Sequence, residues 1–310
     1  MGSKENALRL KKPRTNWQLI SMLLPGLAAL AVFSYLPMFG VFIAFKNINY
    51  AKGFWGSPWV GFANFEFFFK THDAFRIMRN TVLYNLAFIV LDVIIPVSIA
   101  IMLDRMKRKS ASRVYQGIMF LPYFFSWIVI SQLGFAFLSV DMGFINKGIL
   151  EPLGLEPVSW YTQRQYWPFI ITFVHTWKYA GYNSVIYFAA LAGIDPGYFE
   201  AAAIDGATGL QTIRRITLPL LAPTILVLSI LAVGRIFFGE FGLFFQVPKN
   251  MGVLFETTDV FETYVYRTLI NIGNIGMSAA ADLYKGVIGF VLVLVTDRIV
   301  HRIDPEKSLL

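Results

Sequence analysis

The sequence contains no cysteine, only three histidines, and charged residues at just 15% of its 310 positions. Each shortage removes a class of chemistry. Without thiols there is neither a disulfide framework nor a thiolate metal site, and His72, His175 and His301 are too scattered to form a ligand cluster. No Gly-x-x-x-x-Gly-Lys-Ser/Thr occurs, and no glycine is followed directly by lysine, so the chain has no standard phosphate-cradling loop for ATP. Also missing are His-Glu-x-x-His, Gly-x-Ser-x-Gly and an acid pair with an obvious partner base. The residues describe a non-catalytic chain with no metal site.

Apolar residues are abundant instead. They make up 56% of the chain, with 30 Phe, whereas soluble domains are about half apolar and about a quarter charged. Runs at about 17–45, 81–103, 114–138, 167–193, 218–247 and 277–296 each reach the roughly 20 residues that a helix needs to cross a bilayer. The expected fold is an all-α integral membrane protein with six transmembrane helices, built as a basic arm, 1–16, followed by a membrane domain, 17–310. No cleavage site closely follows the first run, which is therefore expected to be a retained span rather than a signal peptide. The net charge of +8 does not indicate nucleic acid, because the basic residues gather at the ends of the apolar runs. Segments 1–16, 104–113, 195–217 and 297–310 hold 15 Lys and Arg in 63 residues, against 9 in 92 for 46–80, 139–166 and 248–276. That bias places both termini in the cytoplasm. Arg76 and Arg79, directly before the second run, oppose it and suggest a helix sliding along the surface or a partner contact. The aromatic segment from Phe54 to Phe69 is expected at the outer interface, where amphipathic rings are favoured.

Ionisable groups inside apolar runs are costly and mark function unless they neutralise one another. They are Asp92 in the second run, His175 and Lys178 in the fourth, Arg235 and Glu240 in the fifth, and Asp282 and Lys285 in the sixth. Asp282 and Lys285, three apart, fit a pair on one helix face, and Arg235 with Glu240 fits a local or inter-helical pair. The fourth run adds Trp177, Tyr179, Tyr182, Asn183 and Tyr187, a mixture of stacking and hydrogen-bonding groups suited to a sugar path or, equally, to packing.

One polar stretch stands out from this background. Asp195 and Pro196 are placed to open a short helix through Ile204, with Gly206 at a left-handed closing position. Thr208 and Gln211 have capping-box spacing for a second helix, and Pro219 resets the chain for the next span. Glu200-Ala201-Ala202, three residues, Gly206, nine residues, then Ile216-x-Leu218-Pro219 resembles the cytoplasmic loop signature of permease subunits of binding-protein-dependent ABC importers. Gly56-Ser-Pro-Trp-Val-Gly-x-x-Asn-Phe65, Ala190-Leu-Ala-Gly-Ile-Asp-Pro196 and Thr263-Tyr-Val-Tyr-Arg267 extend the likeness toward the carbohydrate branch, in particular oligosaccharide and alginate importers of the bacterial inner membrane. The resemblance implies that the elbow is a coupling helix, with Glu200, Ala201, Ala202, Asp205, Gly206, Leu218 and Pro219 in that role. It also implies a second homologous permease, two ATP-binding subunits that carry the ATP and magnesium, an extracytoplasmic solute-binding protein, and an oligosaccharide cargo. The substrate path then falls among His175, Trp177, Lys178, Tyr182, Asn183, Tyr187, Arg235, Glu240, Asp282 and Lys285. The competing expectation is a secondary transporter or channel with a relay of intramembrane carboxylates, although no repeat between the two halves supports it.

Overall fold

The computed structural model describes residues 17–66 and 70–303, and these are helical with a single isolated bridge, Lys46 to Trp59, outside helices and turns. The basic arm 1–16, Phe67 to Phe69 and the tail 304–310 lie outside the described residues. Four helical stretches are long and apolar enough to cross a membrane, and a fifth arises if one bent pair is counted as a span.

The first stretch, α1, begins as Trp17–Leu30 and continues through a wide turn, Ala31–Tyr35, into a tight helix, Leu36–Phe45. Pro25 and Pro37 interrupt its backbone ladder, and nearly all of its side chains are exposed. Helix α2 is His72–Asp104 and so begins well before the expected 81, because the Thr71 hydroxyl accepts from the Ala74 amide at 3.3 Å and opens the helix earlier. Its added first turns carry the two arginines that opposed the charge bias. Arg76 pairs with Asp73 at 2.9 Å and Asp259 at 3.1 Å, and Arg79 pairs with Glu256 at 3.3 Å. Acidic groups of segment 248–276 thus neutralise both.

The expected third run is not one straight helix. Helix α3, Lys109–Phe120, with a tight turn at Leu121–Phe124, meets α4, Trp127–Leu138, at 98°. Phe125 and Ser126 are extended there, and the Ser126 hydroxyl restarts the helix by accepting from Val129 at 3.3 Å. Helix α5, Trp167–Ala192, is 26 residues long and packs along α2 at the centre. Its polar side chains keep it out of the strictly apolar set.

The elbow follows as α6, Gly197–Ile204, and leads into α7, Gly209–Gly234. The fifth run also departs from expectation. Helix α7 stops at Gly234, residues 235–240 are non-helical, and a short helix, α8, covers Phe241–Gln246. At the end of α7 the helix α10, Ile275–Ile303, packs so closely through Val293 and Gly289 that a side chain at Gly234 would collide. From outside, Glu262 on α9, Phe261–Arg267, reaches the break and accepts from the Gly239 amide at 2.7 Å. Its other oxygen takes the Lys285 ammonium of α10 at 2.9 Å, and Lys285 also pairs with Asp282 at 2.8 Å, the spacing-predicted pair.

Lys285 and Glu262 are 4% and 15% exposed, so removing one partner strands a buried charge, which costs about 3–5 kcal/mol. Lys285→Met is expected to lower the melting temperature of the purified membrane complex markedly. Lys147→Met, which removes an exposed pair with Glu151, is expected to change stability by less than about 1 kcal/mol. Equal melting curves for the two variants would exclude a structural role for the Glu262 to Lys285 bond.

Candidate functional site

Two places concentrate the residues singled out by the sequence: the elbow at one end of α7 and a cavity at the other.

The elbow closes as its residues dictate. The Asp195 carboxylate accepts from Gly197 at 2.9 Å. At the other end Gly206 has φ +71°, and the Ala207 and Gly206 amides reach the carbonyls of Ala202 and Ala203 at 2.9 and 3.1 Å. This pairing of a left-handed residue with nested hydrogen bonds satisfies the carbonyls that a helix end leaves open. The capping box forms too, with Thr208 N donating to Gln211 Oε1 at 2.7 Å and Gln211 N to Thr208 Oγ1 at 3.4 Å. Pro219 does not separate the second helix from the next span. Instead, a wide turn at Ile213–Thr217 carries the helix through, and Leu218 and Pro219 lie within one continuous 26-residue stretch. Ala202 is buried, whereas Glu200, Ala201 and Asp205 are exposed. The tip presents Ile204 at 86% and Leu210 at 75% exposure.

The cavity encloses about 460 Å³ between α2, α5, the bend before α4 and the break after α7. His175, Tyr182, Asn183, Tyr187, Arg235 and Glu240 from the sequence expectation line it, joined by Asp92, Tyr123 and Tyr179. Trp177, Lys178, Asp282 and Lys285 do not line it. The His175 ring lies flat on Phe88, 3.7 Å between centroids, with Nε2 3.1 Å from Asp92 Oδ2. Tyr123 and Tyr182 stack at 4.1 Å, forming a flat aromatic slab.

Lys178 is occupied elsewhere. Its ammonium donates to the carbonyls of Phe125 at 2.6 Å, Tyr123 at 2.9 Å and Pro122 at 3.5 Å at the bend between α3 and α4, where the Pro122 carbonyl also accepts from the Phe125 amide at 3.2 Å. It also sits 5.0 Å from the Trp127 ring. Trp127 Nε1 in turn donates to Glu240 at 3.0 Å, and the Tyr179 hydroxyl donates to the other Glu240 oxygen at 3.3 Å. The expected pair between Arg235 and Glu240 is therefore not formed. The break turns Glu240 toward Trp127 and Tyr179, and no ion pair or side-chain hydrogen bond of Arg235 is found among the described residues. Trp127, Tyr123 and Glu262 were not anticipated, since each acts on partners more than 20 residues away. The one local hint is Pro122 beside Tyr123, which marks a break in the apolar run.

A family model described as "Binding-protein-dependent transport system inner membrane component" matches residues 92–308. Protein LplB of Bacillus subtilis (strain 168) is 34% identical over 293 residues, covering 94% of this chain and 91% of that protein. The polygalacturonan/rhamnogalacturonan transport system permease protein YteP of the same organism is 30% identical, covering 92% of this chain and 88% of that protein. Among solved structures, a chain of a bacterial ABC transporter involved in the import of the acidic polysaccharide alginate superposes with a TM-score of 0.84. It is 32% identical, over 93% of this chain and 96% of that one.

Replacing Lys178 with Met is expected to loosen the bend, because the Tyr123 and Phe125 carbonyls lose their charged donor, each net hydrogen bond to a charged group being worth about 1.5–3 kcal/mol. Thermal melting of the detergent-solubilised complex should fall by several degrees. A Lys178→Met protein that melts like the parent would show that the bend holds itself.

Proposed function

The chain belongs to the family of binding-protein-dependent transport system inner membrane components, and from that premise we propose that it is the membrane-embedded permease subunit of an ABC importer for oligosaccharides, acidic alginate-like ones included. The elbow is the observation that carries this reading. A stiff, capped knob with apolar side chains at its tip is a shape that fits a groove in another protein, and here every hydrogen bond closing it comes from its own residues. Two ATP-binding subunits, with their ATP and magnesium, supply the energy through it. Glu200, Ala201, Ala202, Asp205 and Gly206 form the docked surface, and Leu218 and Pro219 open the helix that leaves it.

Six spans cross the inner membrane in this scheme. The four long apolar helices are joined by the bent pair α3 and α4 and by α5, and both termini lie in the cytoplasm. A second homologous permease covers the exposed face of α1 and closes the cavity, while a solute-binding protein delivers cargo from outside. Oligosaccharides suit the cavity chemically, since the Tyr123 to Tyr182 slab offers a flat apolar surface to a sugar ring while His175, Asn183 and Arg235 offer hydrogen-bonding groups for its hydroxyls. The carboxylate-relay alternative is disfavoured because Asp92 is held by His175, Glu240 by Trp127 and Tyr179, and Asp282 by Lys285.

Gly206→Val tests the docking role. A β-branched residue at φ +71° is strained by about 1–3 kcal/mol, and nothing lies within 4 Å of the position, so the change deforms the knob without touching a span. The expected result is normal insertion and expression with ATP hydrolysis uncoupled from uptake; full uptake would refute the role. Because the native chain has no cysteine, Thr208→Cys gives a clean topology test. It should resist an impermeant maleimide added outside intact cells, and labelling from outside would overturn the six-span arrangement.

A further inference from the structure

We propose that Arg235 is the residue that reads negative charge on the cargo, so that the cavity discriminates carboxylated from neutral sugar chains through one guanidinium. This rests on the reading that the cavity is the cargo route, and it separates two cations that the sequence treats alike. Lys178 and Arg235 fall in neighbouring apolar runs, and either is a candidate for meeting an anion. The structure commits Lys178 to the backbone: its ammonium is consumed by three carbonyls of the α3 to α4 bend and it does not line the cavity. Arg235 lines the cavity, is exposed, and has no ion pair or side-chain hydrogen bond among the described residues.

The anions nearest in sequence and in space already have donors. Glu240, five residues on, is held at both oxygens by Trp127 and Tyr179. Asp92 across the cavity is held at one oxygen by His175. Both carboxylates face aromatic or imidazole donors rather than the guanidinium. Five residues apart, Arg235 and Glu240 would not share a face even in an unbroken helix, where neighbours on one face are three or four residues apart. Here the Gly239 amide is pinned by Glu262 at 2.7 Å, and the chain between them is non-helical.

An unpaired cation on a cavity wall attracts an anion that enters the cavity. A guanidinium takes a carboxylate through two parallel hydrogen bonds, a geometry that a hydroxyl cannot match. The Tyr123 to Tyr182 slab belongs to the same cavity. A uronic acid ring stacked there would bring its carboxylate to a site that already holds a cation. The ligand class is thus an oligouronate, recognised by stacking and by a bidentate ion pair.

The test uses the assembled complex with cysteine-free partner subunits. Ala232, which also lines the cavity, lies in the last turn of α7, and its carbonyl accepts from the Arg235 amide at 3.0 Å, so the two side chains are close neighbours, about 5–6 Å apart at Cβ. Ala232→Cys is labelled with anionic sulfonatoethyl and cationic trimethylammonium-ethyl methanethiosulfonate, with Arg235 intact or as Arg235→Gln. A free positive charge at that distance raises the anion-to-cation rate ratio, and Arg235→Gln should lower it by about tenfold. An unchanged ratio would mean that a partner carboxylate already neutralises Arg235, and the proposal would fall. In the second arm, tetragalacturonate is expected to slow labelling with Arg235 present and to lose that protection in Arg235→Gln, whereas Arg235→Lys should recover it only in part. Equal protection in all three proteins, or none in any, would overturn charge reading by Arg235. Uptake of no oligosaccharide at all by the parent complex would defeat the importer reading instead, and the reagent ratio would still report on the guanidinium.

Discussion

A backbone amide or carbonyl without a partner is costly inside a bilayer, where no water is at hand to satisfy it, and the interior of this protein is arranged around two places where helices leave such groups open. At the bend between α3 and α4 the carbonyls of Tyr123 and Phe125, with that of Pro122 at the longer distance of 3.5 Å, converge on the Lys178 ammonium. At the break after α7 the orphaned amide of Gly239 is taken by Glu262, itself neutralised by Lys285. Each break therefore requires a charged side chain from another element, and each such charge is tolerated in the membrane because it meets either a backbone dipole or an opposite charge. The two requirements satisfy each other.

This division explains which intramembrane charges line the cavity and which do not. Lys178 and Lys285 both have carbonyl or carboxylate partners at 3 Å or less, and neither faces the cavity. Asp92, His175, Glu240 and Arg235 do face it, and of these Arg235 is the group with no side-chain partner among the described residues. The bend places Tyr123 and Trp127 next to α5, and the break brings Glu240 to them, so the irregular backbone supplies a large part of the cavity wall. Regular helices would have presented a smoother and more apolar surface.

The elbow was legible in the sequence residue by residue because every bond that closes it is local: Asp195 to Gly197, Thr208 to Gln211, Gly206 to Ala203. Capping chemistry depends on spacings of two to four residues, and those can be read directly. The approximate positions of the apolar runs were legible for the same reason. The bend at 125–126 and the break at 235–240 were not, since their stabilising partners lie 53 to 56 residues away in Lys178 and 23 residues away in Glu262. Hydropathy sees an unbroken apolar run in both places. Pro122 and Gly234 are weak markers that acquire meaning only once the neighbour that satisfies or crowds the break is known. The pairing of Arg235 with Glu240 failed on this point, because Glu240 is taken at both oxygens by Trp127 and Tyr179, partners 113 and 61 residues away.

Helix α7 ties the two regions into one mechanical unit. It starts one turn after Gly206 and runs without interruption for 26 residues to the break at Gly234, about 39 Å at 1.5 Å per residue. Pro219 and Pro223 lie within it, but the wide turn at Ile213–Thr217 absorbs the missing amide of the first, so the helical path survives. One end of this rod is the knob with its exposed Ile204 and Leu210; the other is the break that carries Arg235 into the cavity. The far end is not free to slide, because Gly239 is latched to Glu262 and Glu240 is held by Trp127 and Tyr179. The far end of the rod therefore passes into a short non-helical segment that three side-chain hydrogen bonds tie to other elements and that forms part of the cavity wall. The elbow and the cavity wall thus stand at the two ends of one helix, with residues 235–240 as the specifically bonded joint between that helix and the wall.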